Sequence, residues 1–492
     1  MTPESSRVEI TRSLAAKSVL WSTVENGGLA LISFGALIIF SRVLTPTDFG
    51  IFSAMLALVE LLGVLVSMTF HDALVQRKEV TELHFDTAFT FTIVLSLMFA
   101  GGCAVFAPFF AHLFGKPEAW PLLIGLSLCF PASALSATIV AQQRRELQFR
   151  ALAFRSLIGR FAGALVGITL VVLGAGVWGL VVQQVLIIFL GSVVLWVLAD
   201  KHPRLRFGWP EFKQLARFGL PSVGGVFLTF SIKRLFIIFA GIFLGAEAAG
   251  YLNLSIRAVD VFWAIAATAV SQVALPILAG LQSYRARLQR AYQQATTFAC
   301  LALYLCFGAL ALMAPEVVEV LFGARWVSIA PYVSVLAALI VVQAPRLMAA
   351  PVLTAMGHPR DLLLALVAEL ILVLTAVFAS GMPSVWWAIG IWAARELLGA
   401  PITGWLLWRR TGLGVRSQLL GVAVPASALA AMAVAVFAVR PWLGSDLGVT
   451  WRLLILLPVC AVAFVSTIVL VDRSLVRAVI GLGTAALSRR VA

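Results

Sequence analysis

Fourteen stretches of roughly twenty mostly apolar residues, parted by short polar connections, run through the chain from Ser18 to Val471. A segment of that length and character is what an α-helix needs to cross a bilayer. No hydrophilic stretch between them is long enough to make a separate soluble domain. Only 12% of the residues are charged, against about 25% in a soluble globular protein. The sequence therefore reads as an all-α polytopic membrane protein. Its spans fall at 18–40, 50–70, 88–112, 120–141, 154–173, 176–199, 217–243, 250–278, 294–314, 328–356, 362–380, 384–408, 418–438 and 452–471.

Basic residues in the connections test that count, because cytoplasmic loops carry an excess of Lys and Arg. With the N-terminus in the cytoplasm, 25 of the 36 basic residues fall in the even-numbered connections and the two tails. The opposite side receives five: Arg42, Lys116, Arg325, Arg440 and Arg452. Adding or removing one span would destroy this alternation, so the pattern predicts fourteen helices with both termini cytoplasmic. The net charge of +14 reads as a ring of basic loops facing anionic membrane lipid, with no nucleic-acid partner implied. The run from Ser18 to Phe40 is long for a signal peptide and carries Glu25, so it reads as a retained first helix. Cys103, Cys129, Cys300, Cys306 and Cys460 lie inside apolar segments without metal spacing and read as small core hydrophobes. No metal or other cofactor is expected.

The hairpin between the first two spans returns 200 residues later. SRVLTPTDFGIFSAMLALVE at 41–60 is echoed by GIFLGAEAAGYLNLSIRAVD at 241–260, with Leu44 recurring as Leu244, Gly50 as Gly250 and Val59 as Val259, and Glu60 answered by Asp260. Lys17 corresponds likewise to Arg217. Six helices separate equivalent points, so the two halves have one orientation, as in transporters built from parallel repeats. The expected organisation is a lobe at 1–199, a second at 200–410, and two appended helices with a tail at 411–492, with a substrate cavity between the lobes.

Two segments carry a family resemblance. SRVLTPTDFGIF at 41–52 resembles the RxLxPxxFG hairpin of polysaccharide exporters. ALVQRKEVTELHFDTAF at 73–89 is similar to the segment after the second helix in their exopolysaccharide and colanic-acid branch. Together with the fourteen-helix plan, these resemble the Wzx-type lipid-linked oligosaccharide flippases of the multidrug/oligosaccharidyl-lipid/polysaccharide exporter superfamily. The resemblance implies a multi-pass protein of the bacterial inner membrane that moves undecaprenyl-pyrophosphate-linked oligosaccharide from the cytoplasmic to the periplasmic leaflet. It implies as partners that substrate, membrane lipids, and the polymerase and chain-length or export proteins of the same pathway.

A charge within a span costs several kcal/mol unless it is paired or hydrated, so by default it faces a partner or a cavity. Clear of their first turns, the spans hold six bases, Arg160, Lys233, Arg234, Arg257, Arg346 and Arg395; the spans hold five acids, Glu25, Glu60, Asp260, Glu369 and Glu396. A pyrophosphate head group needs cations along its path, and arginine's planar fork suits phosphate. Lys233, Arg234, Arg257 and Arg346 are the expected head-group contacts; Arg160 and Arg395 read as structural ion-pair members. The competing reading for all six is that they pair with the acids and lock helices together, and for Arg257 with Asp260, one turn apart, the two readings stay open. A carboxylate in a partly dry cavity is suited to load and release a proton. Glu25, then Glu60 and Asp260, are the candidates for coupling.

Rival functions meet specific difficulties. A membrane glycan polymerase would carry a large polar outer loop, whereas the longest here is about 13 residues (315–327). The five histidines are scattered over loops and span ends, and no catalytic set emerges, so no enzymatic activity is expected. A multidrug/cation antiporter of the same superfamily would have twelve helices and an acid-dominated cavity. A lipid II-type flippase shares the fourteen-helix plan, but the hairpin and the segment at 73–89 favour the exopolysaccharide branch.

Overall fold

The computed structural model describes residues 25–279, 285–356, 358–444, 447–473 and 475. Helices follow one another with short connections: α1 (Glu25–Val43), α2 (Pro46–Met68), α3 (Glu82–Leu113), α4 (Pro117–Arg145), α5 (Phe149–Ala175) and α6 (Trp178–Leu198). A continuous helical stretch at Trp209–Ala279 is broken by Gly245, at φ 80° and ψ 170°. That backbone geometry is essentially confined to glycine, and it divides α7 (209–244) from α8 (246–279). Then come α9 (Arg285–Leu312), α10 (Ala324–Thr354), α11 (Pro359–Ser380), α12 (Val385–Thr411), α13 (Val415–Trp442) and α14 (Val449–Val471).

Twelve segments among the described residues have the length and hydropathy of a membrane-crossing helix. One of them, Trp209–Trp263, contains the break at Gly245, and the 27-residue α12 joins the series although Arg395-Glu396 lies near its middle. The all-α polytopic class expected from the sequence is what is found. Residues 18–24 of the expected first span lie outside the described residues. Several helices overrun their apolar stretch: α3 begins at Glu82 because Thr81 and His84 cap it, with Oγ1 and Nδ1 2.7 Å apart.

The chain forms two compact units, one of Met1–Leu254 with Glu369–Ala388, the other of Ser255–Ala368 with Ile389–Ala492. In the first unit 13 of the 23 residues of α2 are buried and none is exposed. Its start is fixed by a capping box: Thr45 Oγ1 accepts from the Asp48 amide at 3.2 Å, and the Asp48 carboxylate accepts from the Thr45 amide at 3.0 Å. α7 runs antiparallel along α2, with Gly241 against Ala54, Arg234 against Glu60 and Gly219 against the Thr69 carbonyl. The first turns of α2 and α8 meet backbone to backbone. A Cβ on Gly50 would collide with the Ala246 carbonyl and stand 2.9 Å from the Gly250 amide nitrogen; one on Gly250 would collide with the Pro46 carbonyl and stand 3.1 Å from the Gly50 nitrogen. The two repeat-equivalent glycines are thus each other's neighbours. α5 and α6 pack closely through Gly159, Gly163 and Gly167, the small-residue spacing by which membrane helices approach without a hydrophobic driving force.

In the second unit the largest fully buried side chains are Trp326, Tyr292, Phe307 and Phe322. Tyr292 donates its hydroxyl to the Pro345 carbonyl at 3.1 Å, which occupies a group beside the proline turn that interrupts α10 at Ala344–Arg346. Two arginine pairs pin helix ends: Arg440 to Glu316 at 2.5 and 2.7 Å, and Arg410 in bidentate contact with Asp361 at 2.6 and 3.0 Å.

Candidate functional site

The first unit holds a pocket of about 240 Å³ bounded by α2, α4, α6 and α7. Its walls are mostly apolar, from Leu56, Val64, Phe130, Val226 and Phe230, with Ser67, Ser133 and Gln184 as polar interruptions. Glu60 and Arg234 lie on its lining, Nη2 of Arg234 being 3.0 Å from Oε2 of Glu60, with the two side chains 24% and 30% exposed. The contact is a charge pair without hydrogen-bond alignment, so the buried Oε2 keeps an unfilled acceptor position. Arg160 on α5 lies within the field of the same carboxylate, and its buried Nε has no hydrogen-bond partner. Lys233 is half-buried beside Arg234 and is engaged in contacts of its own. One acid therefore lies close to two arginines, in helices whose surroundings are otherwise apolar.

The remaining sequence candidates are distributed as follows. Glu25 stands in the first turn of α1, within electrostatic reach of Arg155 on α5. Arg257, half-buried, and Asp260, exposed, lie one turn apart on α8 in the second unit, and both are engaged in contacts. Arg346 sits on the proline turn of α10 and forms an ion pair with Glu396 of α12. Glu396 is only 2% exposed and also meets Arg395 at 2.9 Å; Arg395 in turn lies over the Trp392 ring at 4.5 Å. Two arginines thus meet one buried carboxylate.

A feature absent from the sequence reading lies at one end of the first unit. The start of α3, the last turns of α4 and the α6–α7 connection enclose a polar cavity of about 640 Å³. Its only sequence signal was the segment at 73–89, which carries the family resemblance. Four carbonyls of that segment, those of Leu74, Val75, Arg77 and Lys78, accept hydrogen bonds from the Arg145 guanidinium.

Comparisons with known proteins agree on kinship. A family model described as polysaccharide biosynthesis protein matches residues 39–331. The chain is 28% identical over 344 residues to the succinoglycan biosynthesis transport protein ExoT of Rhizobium meliloti (strain 1021), an overlap of 68% of this chain and 67% of that protein. It is 20% identical over 322 residues to the lipopolysaccharide biosynthesis protein WzxC of Escherichia coli (strain K12), covering 64% and 65% respectively. With the teichuronic acid biosynthesis protein TuaB of Bacillus subtilis (strain 168) it shares 22% over 323 residues, covering 64% and 66%. The chain spans about two thirds of the length of these curated relatives. Among solved structures, the lipid II flippase MurJ in an inward closed conformation superposes with a TM-score of 0.75 at 11% identity, over 93% of this chain and all of that one. A multidrug resistance MATE family transporter in an inward-facing conformation gives 0.58 at 16%, over 78% and 94%. At such identities the likeness is one of fold.

Proposed function

The chain belongs to the polysaccharide biosynthesis protein family, whose model spans more than half of it, and on that premise we propose that it is a flippase for undecaprenyl-pyrophosphate-linked oligosaccharide. It carries repeat units from the cytoplasmic to the periplasmic leaflet of the bacterial inner membrane, by alternating access and without enzymatic chemistry. Both termini lie in the cytoplasm, and the polymer-assembly proteins of the same pathway take over the product. The observation that carries this reading is the placement of Lys233 and Arg234, two successive cations inside an apolar helix, with Arg234 held against Glu60 at a pocket wall. Structurally similar transporters have been seen inward closed and inward-facing, which supports an alternating-access cycle on this fold.

Lys233, Arg234, Arg257 and Arg346 contact the pyrophosphate during transit. Two unit charges 4 Å apart attract by about 4 kcal/mol at an effective dielectric constant near 20. A head group with two negative charges therefore competes with Glu60 for Arg234. The displaced carboxylate then needs a new partner or a proton, which makes Glu60 a coupling group alongside Glu25 and Asp260.

The test is polymer output from cells lacking the gene, complemented at matched membrane levels with wild type or with Lys233→Ala/Arg234→Ala. The flippase reading predicts that the deletion abolishes polymer and that the double variant fails to restore it, with Arg234→Lys retaining part of the function. Unchanged polymer and unchanged lipid-linked intermediates in the deletion strain would overturn it.

A further inference from the structure

The 640 Å³ cavity of the first unit lies at the end that the charge bias assigns to the cytoplasm, and its walls are built rather than loose. Arg145 clamps one wall through four carbonyls. The α6–α7 connection is fastened to α3 three times. The Arg204 amide donates to Asp86 Oδ1 at 2.7 Å, the Gly208 amide to Thr87 Oγ1 at 3.0 Å, and Thr90 Oγ1 to the Arg206 carbonyl at 2.9 Å. His202 stacks flat on Trp196 at 4.9 Å, and the Trp196 indole is held by the Leu135 carbonyl at 2.7 Å.

Several polar groups lining this cavity have no protein partner among the described residues. Thr138 is 3% exposed, yet its hydroxyl makes no hydrogen bond. The carboxylates of Glu82 and Asp200 carry none, and the side chains of Lys201, Arg204 and Arg206 stand unpaired on the exposed side. The Thr138 hydroxyl itself is closed off from the cavity space, so the groups open to a ligand are the charged side chains and Gln142. An ionised carboxylate only accepts hydrogen bonds. Glu82 and Asp200 would therefore repel a bare phosphate, while the unpaired bases would repel a simple cation. A ligand that donates hydroxyls and also carries a phosphate satisfies both sets.

We propose that this cavity is a recognition site for a glycosyl phosphate, its sugar hydroxyls meeting Gln142 and the carboxylates of Glu82 and Asp200, and its phosphate meeting Lys201, Arg204 and Arg206. Two sources supply that chemistry: the lipid-linked oligosaccharide before it is loaded, which rests on the flippase reading, and a soluble sugar phosphate, which does not.

The test is calorimetric titration of the full-length protein in lipid nanodiscs with glucose 1-phosphate, galactose 1-phosphate and mannose 1-phosphate, with inorganic phosphate as control. At least one glycosyl phosphate is expected to bind ten or more times tighter than inorganic phosphate. Lys201→Ala/Arg206→Ala weakens that binding at least tenfold. Glu82→Gln/Asp200→Asn weakens it by roughly 2- to 10-fold, as for weakened hydrogen bonds to the sugar hydroxyls, without weakening the response to inorganic phosphate. Binding of none of the three up to about 10 mM, or binding untouched by Lys201→Ala/Arg206→Ala in variants that melt like wild type, would overturn the site. Displacement of the soluble probe by lipid-linked oligosaccharide in the same discs identifies the lipid as the source; binding without displacement identifies the soluble pool. The titration is independent of polymer rescue, so failure here and failure of the flippase reading are separately visible.

Discussion

Glu60 and Glu396 are both acids inside membrane helices, but they face different demands. Glu60 is 30% exposed beside a pocket and lies 3.0 Å from one arginine, whereas Glu396 is 2% exposed and holds Arg346 and Arg395 together. Breaking a buried pair by removing one partner costs about 3–5 kcal/mol, since the other charge is left uncompensated; a half-buried pair such as Arg234–Glu60 loses less, its charges being only partly desolvated. Glu396→Gln is therefore expected to lower the thermal unfolding midpoint of the purified protein clearly more than Glu60→Gln does. Equal shifts would mean that the two carboxylates have the same structural weight. The sequence exposed the charges themselves, because an ionisable residue in an apolar run stands out. It did not expose the pairings: Arg346 and Glu396 are fifty positions apart, and no local periodicity links a proline turn to a distant helix. Arg160 likewise reads as an ion-pair member from its position alone, while its missing Nε partner depends on the tertiary surroundings of α5.

Among the elements, the paired hairpins matter most. α2 opens with a capping box from Thr45 and Asp48, and α8 opens after the positive φ of Gly245. The two starts use unlike devices, a side-chain cap and a glycine break, so the residues that make them do not repeat. Gly50 and Gly250 do recur, for a steric reason: each would drive a methyl group into the other helix's backbone. Gly50→Ala or Gly250→Ala should each destabilise the protein by about 1–3 kcal/mol or more, the usual range for overpacking, seen as lower membrane levels and a lower unfolding midpoint. Wild-type behaviour of both variants would remove the close approach as a structural requirement. Gly245→Ala should cost about 1–3 kcal/mol through backbone strain alone. Helix existence was legible from apolar length. Helix ends were less so: α7 starts at Trp209 rather than at 217, because Phe70, Phe91 and Phe212 cluster beyond the apolar run and extend it.

On the scale of the whole molecule, the fold and the family follow from apolar periodicity, basic loops and one hairpin motif, and the structural likeness to a lipid II flippase agrees with them at the level of fold. The 640 Å³ cavity had only the segment at 73–89 as a signal, since it is assembled from two helix ends and one connection that lie far apart in the sequence. The charge bias makes a direct prediction about orientation. Single cysteines placed at Arg325 and at Arg416 should be labelled from opposite sides, the first by a membrane-impermeant maleimide added to spheroplasts and the second only in inverted vesicles. The most direct measurement of the proposed transport is translocation itself. Purified protein is reconstituted with fluorescent lipid-linked oligosaccharide in proteoliposomes, and the fraction bleached by impermeant dithionite is followed. Wild type should expose lipid from both leaflets to bleaching, and Lys233→Ala/Arg234→Ala should leave the inner-leaflet half protected. Wild-type vesicles that protect that half as well as protein-free ones, or a double variant that translocates at the wild-type rate, would contradict a cationic path for the head group.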